Sequence, residues 1–367
     1  MTKWKEGSKV QEVNLEQYKA CLAHLATSPE HATREDELGK SDDDRGYLEV
    51  VDPYRLDRIK LLGSKALIRL NDKTQVFIGR GNPHIRTRNR HTNEVVALAS
   101  LIASATGLNE SLTAAAALGH DIGHLPFGHH GEQALSTVIG SKVSHAVVGV
   151  IIARRVERQA NGLNLTRQTL EAILYHSSGA GKVQPSCKIT QEATAVMWAD
   201  KIAYVFADVN DFKRTLNDSA RLVNEMNRRA SWFGCNQRQR IVHCVHALVE
   251  ESAQTGRISF EQSECAQEFA SFKDWLYKEA YFPSQKGRSV IIEGLIGAHN
   301  LLATCPEFGD CYIPLLTALL TDREARFLME LSFDHRTLSI EQIPHLGITE
   351  IYPHLRGAQI DLVSPWA

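Results

Sequence analysis

One strongly apolar segment of the chain ends in side chains that could bind a metal. The segment SLTAAAALGHD is rich in alanine and closes with His120 and Asp121. An ionisable pair at the end of a buried helix costs free energy unless something binds it or pairs with it. Imidazole nitrogen and carboxylate oxygen together suit a divalent ion, with Mn, Mg, Co, Fe, Ni and Zn as candidates. The pair therefore indicates a metal centre.

Two ligands do not make a metal centre, so others must come from helices elsewhere in the chain. His91 begins an amphipathic segment, and Asp200 lies among apolar residues in ATAVMWADKIAYVFADVNDF. Asp200, Tyr204 and Asp208 follow one another at helical spacing, which puts them on one face of that helix. A polar stripe on an apolar helix is expected to face a cavity. A single histidine at a helix start is more often a surface or core residue, so the residue types alone leave the role of His91 open.

Helical periodicity accounts for most of the chain beyond position 50, and the sequence has no run of alternating residues typical of strands. An all-α fold is therefore predicted. The segment GHLPFGHHGE is expected to form a tight loop, because glycine and proline interrupt the helical pattern there. The predicted helices are 54–77 with a break, 91–105, 111–121, 132–139, 144–160, 166–176, 191–213 and one long helix after Tyr312.

Composition limits the class of protein. Of the 367 residues, 43% are hydrophobic and 23% are charged, as in compact globular proteins. The net charge of -2 argues against a chain that binds nucleic acid or anionic lipid over its whole surface. The sequence has no apolar leader and no stretch long enough for a membrane span, and its seven cysteines contain no CxxC pair. A cytoplasmic protein with free thiols and no membrane segment is expected.

The order of these residues resembles a known family. His91, the pair His120–Asp121 and Asp200 follow the H…HD…D order of the HD-domain phosphohydrolases. The segment HDIGHLPFGHHGE is similar to the signature of bacterial dGTP triphosphohydrolases and their dNTPase relatives. Further stretches resemble the family in the same order, and these are LNDKTQVF (70–77), RTRNRHTNEV (86–95), GLNLTRQTLEAIL (162–174), WADKIAYVFADVND (198–211) and LLTDREARF (319–327). The likeness covers residues 55–330.

The resemblance implies roles for three sets of residues. The set that would bind one metal ion is His91, His120, Asp121 and Asp200. The catalytic set is His129, positioned by Glu132, together with His124 at the phosphates and His145 as a further active-site histidine. The set that would bind substrate is Arg88 and Lys201 at the phosphates, Tyr204 at the sugar and Asp208 at the sugar 3′-hydroxyl. His130 and His176 have no role assigned by the resemblance.

The same resemblance implies an HD-domain helical bundle with helical insertions and a C-terminal helical extension. On this basis the chain divides into a partly flexible N-terminal segment (1–50), an HD-domain catalytic core (51–213), a helical extension that completes the fold (214–330) and a C-terminal tail (331–367). Assembly into dimers, tetramers or hexamers is also implied, and nothing in the sequence fixes the number.

The implied reaction is metal-dependent hydrolysis of deoxynucleoside triphosphates to deoxynucleoside and inorganic triphosphate, with water attacking the α-phosphate. Two other functions stay open. One is a different HD phosphohydrolase reaction, on a nucleoside monophosphate or a phosphodiester. The other is a regulator that binds nucleic acid or nucleotide through a vestigial site, which the arginine-rich region 228–240 would fit. An allosteric nucleotide and single-stranded DNA are further candidate partners, and the ligand motifs do not encode a base preference.

Overall fold

The computed structural model describes residues 18–35, 51–75, 84–177, 189–215, 220–281, 285–334 and 337–366. Within these ranges the chain is helical, and the β-type contacts are two isolated bridges, Arg34 with Thr166 and Thr74 with Thr87. The all-α fold class is confirmed. None of the described helices has the length and apolar character that crossing a bilayer would require.

The described chain forms sixteen α-helical segments of different lengths. In order they are α1 (Pro53–Leu62), α2 (Lys65–Arg69), α3 (Arg88–Thr106), α4 (Glu110–Gly119), α5 (His129–Ile139), α6 (His145–Arg155), α7 (Glu157–Ala160), α8 (Arg167–Tyr175), α9 (Gln191–Thr215), α10 (Ala220–Ala230), α11 (Gln237–Thr255), α12 (Glu264–Trp275), α13 (Gln285–Leu302), α14 (Ile313–Leu319), α15 (Asp322–Asp334) and α16 (Ile348–Ile351). One turn of π-helix, Leu276–Tyr281, continues α12.

Helix α4 lies at the centre of the bundle, packed against α1, α3, α8 and α9. Its side chains from Ala114 to Ala117 are at most 3% exposed. Short side chains let the neighbouring helices approach closely, and a Cβ at Gly119 would lie 2.5 Å from Ile173 of α8. The helix begins where the side chain of Asn109 accepts a hydrogen bond from the backbone of Leu112. This packing brings α3 and α9 to the end of α4 that carries the histidine–aspartate pair.

Four predicted helices differ from the structure. The helix predicted to end at position 77 ends at Arg69, and a short turn, Leu70–Asp72, follows it. Helix α5 begins at His129 rather than position 132, so Glu132 lies in its first turn. Helix α6 ends at Arg155, and Arg158, Gln159 and Ala160 follow with φ of 53°, 58° and 67°. This left-handed turn makes up most of the short segment α7 and replaces the end of the helix predicted over 144–160. The long helix predicted after Tyr312 is broken into α14 and α15, because the backbone is extended at Leu320.

Asp57 is a fully buried carboxylate that joins three segments of the chain. It forms an ion pair with Arg34 at 2.7 Å and accepts hydrogen bonds from the backbone nitrogen and the hydroxyl of Thr166, at 3.0 and 2.6 Å. Arg34 belongs to the described part of the N-terminal segment, and Thr166 precedes α8. The carboxylate thus fixes both segments to α1.

Replacing Asp57 with alanine is expected to lower the free energy of unfolding by about 3–5 kcal/mol, because the guanidinium of Arg34 would stay buried without a carboxylate to balance its charge. Urea denaturation measures this change. Glu171→Ala is the matched control, since its ion pair with Arg167 is 30–44% exposed and is expected to contribute less than about 1 kcal/mol. Equal losses in the free energy of unfolding in the two variants would show that Asp57 does not hold these segments together.

Candidate active site and metal centre

The four side chains expected to bind a metal come from three helices and meet at one end of the bundle. His91 lies near the start of α3, His120 and Asp121 follow α4, and Asp200 lies in the middle of α9. One ligand atom each from His91, His120 and Asp121 falls within 4.8 Å of the other two. Nε2 of His91 lies 2.9 Å from Oδ1 of Asp200, and Nε2 of His120 lies 3.9 Å from the same oxygen. The structure therefore brings all four together.

The hydrogen bonding of His120 indicates that this cluster fits a cation. Its Nδ1 donates to the carbonyl of Ala117 at 2.7 Å, so a neutral ring carries its lone pair on Nε2. That nitrogen faces Asp121 at 3.5 Å and Asp200 at 3.9 Å, and among the described residues it has no hydrogen-bond partner. A lone pair directed at two carboxylates is unfavourable without a positive charge between them. A divalent ion supplies that charge, and nitrogen with carboxylate oxygen is a donor set that such ions accept.

A second cluster is organised by Glu132 in the first turn of α5. One oxygen of its carboxylate lies 2.9 Å from Nδ1 of His129. The other lies 2.6 Å from Nδ1 of His145 and accepts a hydrogen bond from the backbone nitrogen of the same residue at 2.8 Å. Burial raises the pKa of Glu132, but the bonds from the two histidines outweigh it and hold the pKa well below its usual range. An ionised Glu132 therefore orients both rings.

His176, which the sequence left without a role, completes this cluster behind His145. Its Nδ1 donates to the carbonyl of Ile173 at 2.6 Å, which leaves Nε2 to accept from Nε2 of His145 at 3.3 Å. Both nitrogens of His145 are then donors, as in an imidazolium. Burial lowers the pKa of His145, but the bond to Glu132 outweighs it, and the pKa is raised. Burial and neighbouring His120 lower the pKa of His176 to about 3.

His124 connects the two clusters. Its ring stacks on that of His145 with centroids 4.0 Å apart, and its Nε2 lies 3.2 Å from Oδ1 of Asp121. The other oxygen of Asp121 pairs with Arg88 at 3.0 Å. Burial raises the pKa of Asp121, but the neighbouring His120, His124 and Arg88 outweigh burial and lower the pKa well below its usual value. The phosphate-binding candidates therefore border the metal centre directly.

The polar stripe of α9 (Asp200, Tyr204 and Asp208) faces helix α12 and the π-helical turn that continues it. The sequence predicted the stripe but not this contact. The hydroxyl of Tyr277 lies 3.4 Å from that of Tyr204, and the hydroxyl of Tyr281 donates to Asp208 at 2.6 Å. Arg86 also binds Asp208, at 3.3 Å. Burial raises the pKa of Asp208 to about 6. The four-residue spacing of Tyr277 and Tyr281 predicts that they lie on one face of a helix. Only the tertiary structure shows that this face packs against α9.

Lys201 lies on the same stretch of α9, with its ammonium 5.0 Å from the centre of the Trp198 ring. Burial and the charge of Lys273 on α12 lower the pKa of Lys201 to about 8. The charges of Lys273 and of Asp200 thus both act on Lys201, and the two lysines come from different helices. This arrangement is suited to an anion that carries more than one negative charge.

Lys73 supports the back of the loop that carries His124. It is 2% exposed, and its ammonium donates to the carbonyls of His124 and Ala318. Burial and the charge of Arg69 lower the pKa of Lys73 from 10.5 to about 7, and Asp322 opposes them. Arg88 and Glu324 are the other charges that act on it.

This lowered pKa is expected to make stability depend on pH. Between about pH 7 and 10.5 the unfolded chain holds the proton of Lys73 more tightly than the folded chain, so the free energy of unfolding rises with pH across that window. Lys73→Met is expected to flatten the rise measured by urea denaturation at pH 7 and pH 9. Lys65→Met serves as control, because that ammonium is 55% exposed. An unchanged slope in Lys73→Met would refute the assignment.

Residues 88–205 match the family model for the HD domain, a range that contains all four candidate metal ligands. The chain is 38% identical over 178 residues to a deoxyguanosinetriphosphate triphosphohydrolase-like protein of Clostridium tetani, covering 47% of this chain and 51% of that protein. It is 40% identical over 204 residues to the protein of the same description from Caldanaerobacter subterraneus, covering 55% of this chain and 56% of that protein.

The chain is also 43% identical over 160 residues to a protein of that description from Clostridium perfringens, covering 43% of this chain and 46% of that protein. The chain therefore spans about half the length of the curated relatives that it matches. These findings confirm the resemblance that the motifs indicated.

Proposed function

We propose that the chain is a metal-dependent phosphohydrolase that cleaves deoxynucleoside triphosphates into deoxynucleoside and inorganic triphosphate. The observation that carries this proposal is the contact between the His91–His120–Asp121–Asp200 cluster and the histidines ordered by Glu132. The names of the relatives support the same class of reaction and of substrate. A divalent ion held by the cluster would supply Lewis-acid chemistry at a phosphoryl oxygen.

The surrounding side chains suit hydrolysis at the α-phosphate. The oxygen of a water molecule bonds to the α-phosphorus, the bond from that phosphorus to the sugar 5′-oxygen breaks, and the 5′-oxygen takes a proton. His129 is 70% exposed and held through Nδ1 by Glu132, so Nε2 is available to exchange that proton. Arg88 and the charged ring of His145 offset the negative charge of the triphosphate. His124, stacked on His145, borders the same phosphates.

The polar stripe on α9 and its partners on the π-helical turn after α12 suit a deoxyribose. Tyr204, backed by Tyr277, presents an aromatic wall. The buried carboxylate of Asp208, which also binds Arg86 and Tyr281, would accept from a sugar hydroxyl. Tyr281 fixes the orientation of that carboxylate. A ribose 2′-hydroxyl against the ring of Tyr204 would be crowded and would lose its hydrogen bonds to water. Lys201 and Lys273 would bind the far phosphates.

Tyr204→Ala is expected to raise the turnover of GTP relative to dGTP about tenfold or more, because an open wall admits the 2′-hydroxyl. Ratios of kcat/KM for the two nucleotides measure this change. Tyr204→Phe is the matched control and should keep the wild-type ratio, since the ring remains. If the ratio of kcat/KM for GTP and dGTP changes equally in both variants, the selectivity for deoxyribose depends on the hydroxyl of Tyr204 rather than on its ring.

The proposal is tested by identifying the products. Metal-stripped protein is incubated with each of the four dNTPs and GTP in the presence of Mn, Mg or Co, and the products are resolved by ion-exchange chromatography. Deoxynucleoside and triphosphate in equal amounts are expected. Orthophosphate from a monophosphate, or an opened phosphodiester, would instead establish one of the other hydrolase reactions. No turnover of any of these substrates, with activating nucleotides and single-stranded DNA added, would favour a binding protein.

The arginine-rich region 228–240 gives little support to the nucleic-acid-binding alternative. Arg228 and Arg229 both pair with Glu225, at 2.6 and 2.8 Å. Arg240 is buried and donates to the carbonyl of Gly234. Three of these guanidinium groups are thus engaged within the fold. The domain boundaries at 50, 213 and 330, the homo-oligomeric assembly and the cytoplasmic location stay predictions.

A further inference from the structure

The loop between α4 and α5 contains a backbone conformation that its sequence does not favour. Phe127 has φ of 58°, and Gly128 follows with φ of 59°. Glycine adopts positive φ without penalty, but for a bulky residue such as phenylalanine this conformation is strained and persists only where surrounding contacts impose it. The two residues directly precede His129. Whatever imposes this conformation therefore sets the direction from which His129 and Glu132 enter the site.

Asp322 supplies that contact from the far end of the chain. It is 6% exposed and begins α15. Its Oδ1 accepts the backbone N–H of Phe127 at 2.8 Å. Its Oδ2 accepts the backbone N–H of Thr74 at 2.9 Å and the hydroxyl of Thr74 at 2.5 Å. Both oxygens of one buried carboxylate are thus used to join two segments that are remote from each other in sequence.

The segment joined at Thr74 itself positions Arg88. The carbonyl of Lys73 accepts from the backbone nitrogen of Arg88 at 2.9 Å, and the carbonyl of Gln75 accepts from its guanidinium at 3.2 Å. Arg88 in turn pairs with Asp121. Asp322 therefore touches no group that would meet substrate, yet it contacts both segments that orient such groups.

Two further contacts link the loop to the C-terminal helices. Lys73 bridges the carbonyl of His124 to that of Ala318 in α14, and Arg326 of α15 lies 5.8 Å from the centre of the Phe127 ring. Ala318, Asp322 and Arg326 all lie outside the region 88–205 that matches the HD domain. The loop is thus supported by helices that this domain does not include.

We propose that Asp322 is a positioning residue for the reaction, which holds Phe127 in its left-handed conformation and so sets the geometry of His129 and Glu132. This inference rests on the proposed function for its kinetic consequences, but the positioning itself is a property of the fold. Through Asp322, α15 would help to set the geometry of the active site.

Asp322→Asn tests the proposal with little change in shape. A carboxylate accepts on both sides, whereas an amide accepts on one side and donates on the other, so either orientation of asparagine leaves Phe127 or Thr74 without its acceptor. We expect kcat to fall about 10- to 100-fold with KM changed by less than about threefold, as for a small displacement of catalytic groups. Hydrogen–deuterium exchange of metal-free protein should show faster exchange in residues 124–131.

Glu324→Gln is the matched control, because it removes the same charge from the same helix start, where Glu324 accepts from the backbone of Thr321 and Gly347 rather than from the loop. It should lose a comparable amount of thermal stability and keep both kcat and the exchange of the loop. If the two variants lose kcat and loop protection equally, the role of Asp322 is general stability and the proposal is overturned.

A second substitution separates positioning from folding. Glycine at position 127 adopts positive φ without cost, so Phe127→Gly added to Asp322→Asn should recover part of the lost kcat. Additive losses would overturn the proposal. Absence of dNTP turnover by the wild-type protein would count against the proposed function alone, since the exchange comparison of Asp322→Asn with Glu324→Gln needs no substrate. Unchanged exchange at residues 124–131 in Asp322→Asn would count against the positioning role alone.

Discussion

Asp200→Ala protein is expected to contain no stoichiometric divalent metal and to hydrolyse its substrate on the order of 10³-fold more slowly than the wild type. Oδ1 of Asp200 lies 2.9 Å from Nε2 of His91 and 3.9 Å from Nε2 of His120, so this carboxylate is the point at which α9 joins the cluster. Without it, two imidazoles and one carboxylate remain, and Arg88 already pairs with that carboxylate. Metal content of the dialysed protein and kcat at saturating metal are the two measurements.

Asp334→Ala is the control for this substitution, because Asp334 is an exposed aspartate at the end of α15. It should bind one metal per chain and keep the wild-type rate. Asp200→Ala protein that is folded and retains wild-type metal content would show that Asp200 is not a ligand. Loss of the metal without loss of rate would show that the reaction does not use it.

Glu132→Gln is expected to lower kcat by about 10²–10⁴-fold while the metal content stays at the wild-type level. The carboxylate of Glu132 accepts hydrogen bonds from Nδ1 of His129, Nδ1 of His145 and the backbone nitrogen of His145. A glutamine has one acceptor oxygen for these three donors and no charge to balance an imidazolium. Both histidines would then lose their fixed orientation together.

His129→Ala should lower kcat by no more than Glu132→Gln does. The double variant should have a kcat close to that of Glu132→Gln alone, because the effects of residues that act as one unit are not additive. Glu110→Gln is the control, since Glu110 is an exposed glutamate in the first turn of α4 and should leave the rate unchanged. Fully multiplicative losses in the double variant would show that Glu132 and His129 act independently.

Three of the four candidate metal ligands could be predicted from the sequence because they leave a local mark, whereas His91 and the complete set of four were implied by the family resemblance. His120 and Asp121 are polar residues at the end of an apolar segment, and Asp200 interrupts an apolar helix with a spacing that Tyr204 and Asp208 repeat. Helical periodicity also predicted the all-α class. In each case the information lies within one turn or one helix of the residue concerned.

The supporting residues could not be predicted in this way because their partners are distant in the chain. His176 is a single histidine at the end of α8, and only packing places it against His145. The end of α6 shows the same limit. Glu157 is buried because it accepts the backbone N–H groups of Lys65 and Ala66 at the start of α2, and the chain must turn to place it there. Local sequence favours helix at these positions, and a contact with a distant segment decides otherwise.

The row of alanines in α4 has a consequence for the spacing of the donor atoms in the cluster. His91, Asp200 and the pair His120–Asp121 stand on three different helices, so the distances between their donor atoms depend on the axis-to-axis separation of those helices. That separation follows the volume of the side chains in the contact, here mostly a single methyl group. The spacing of the donor atoms is thus set in part by residues that touch none of them, and we expect one added methylene in this row to change that spacing without altering any ligand.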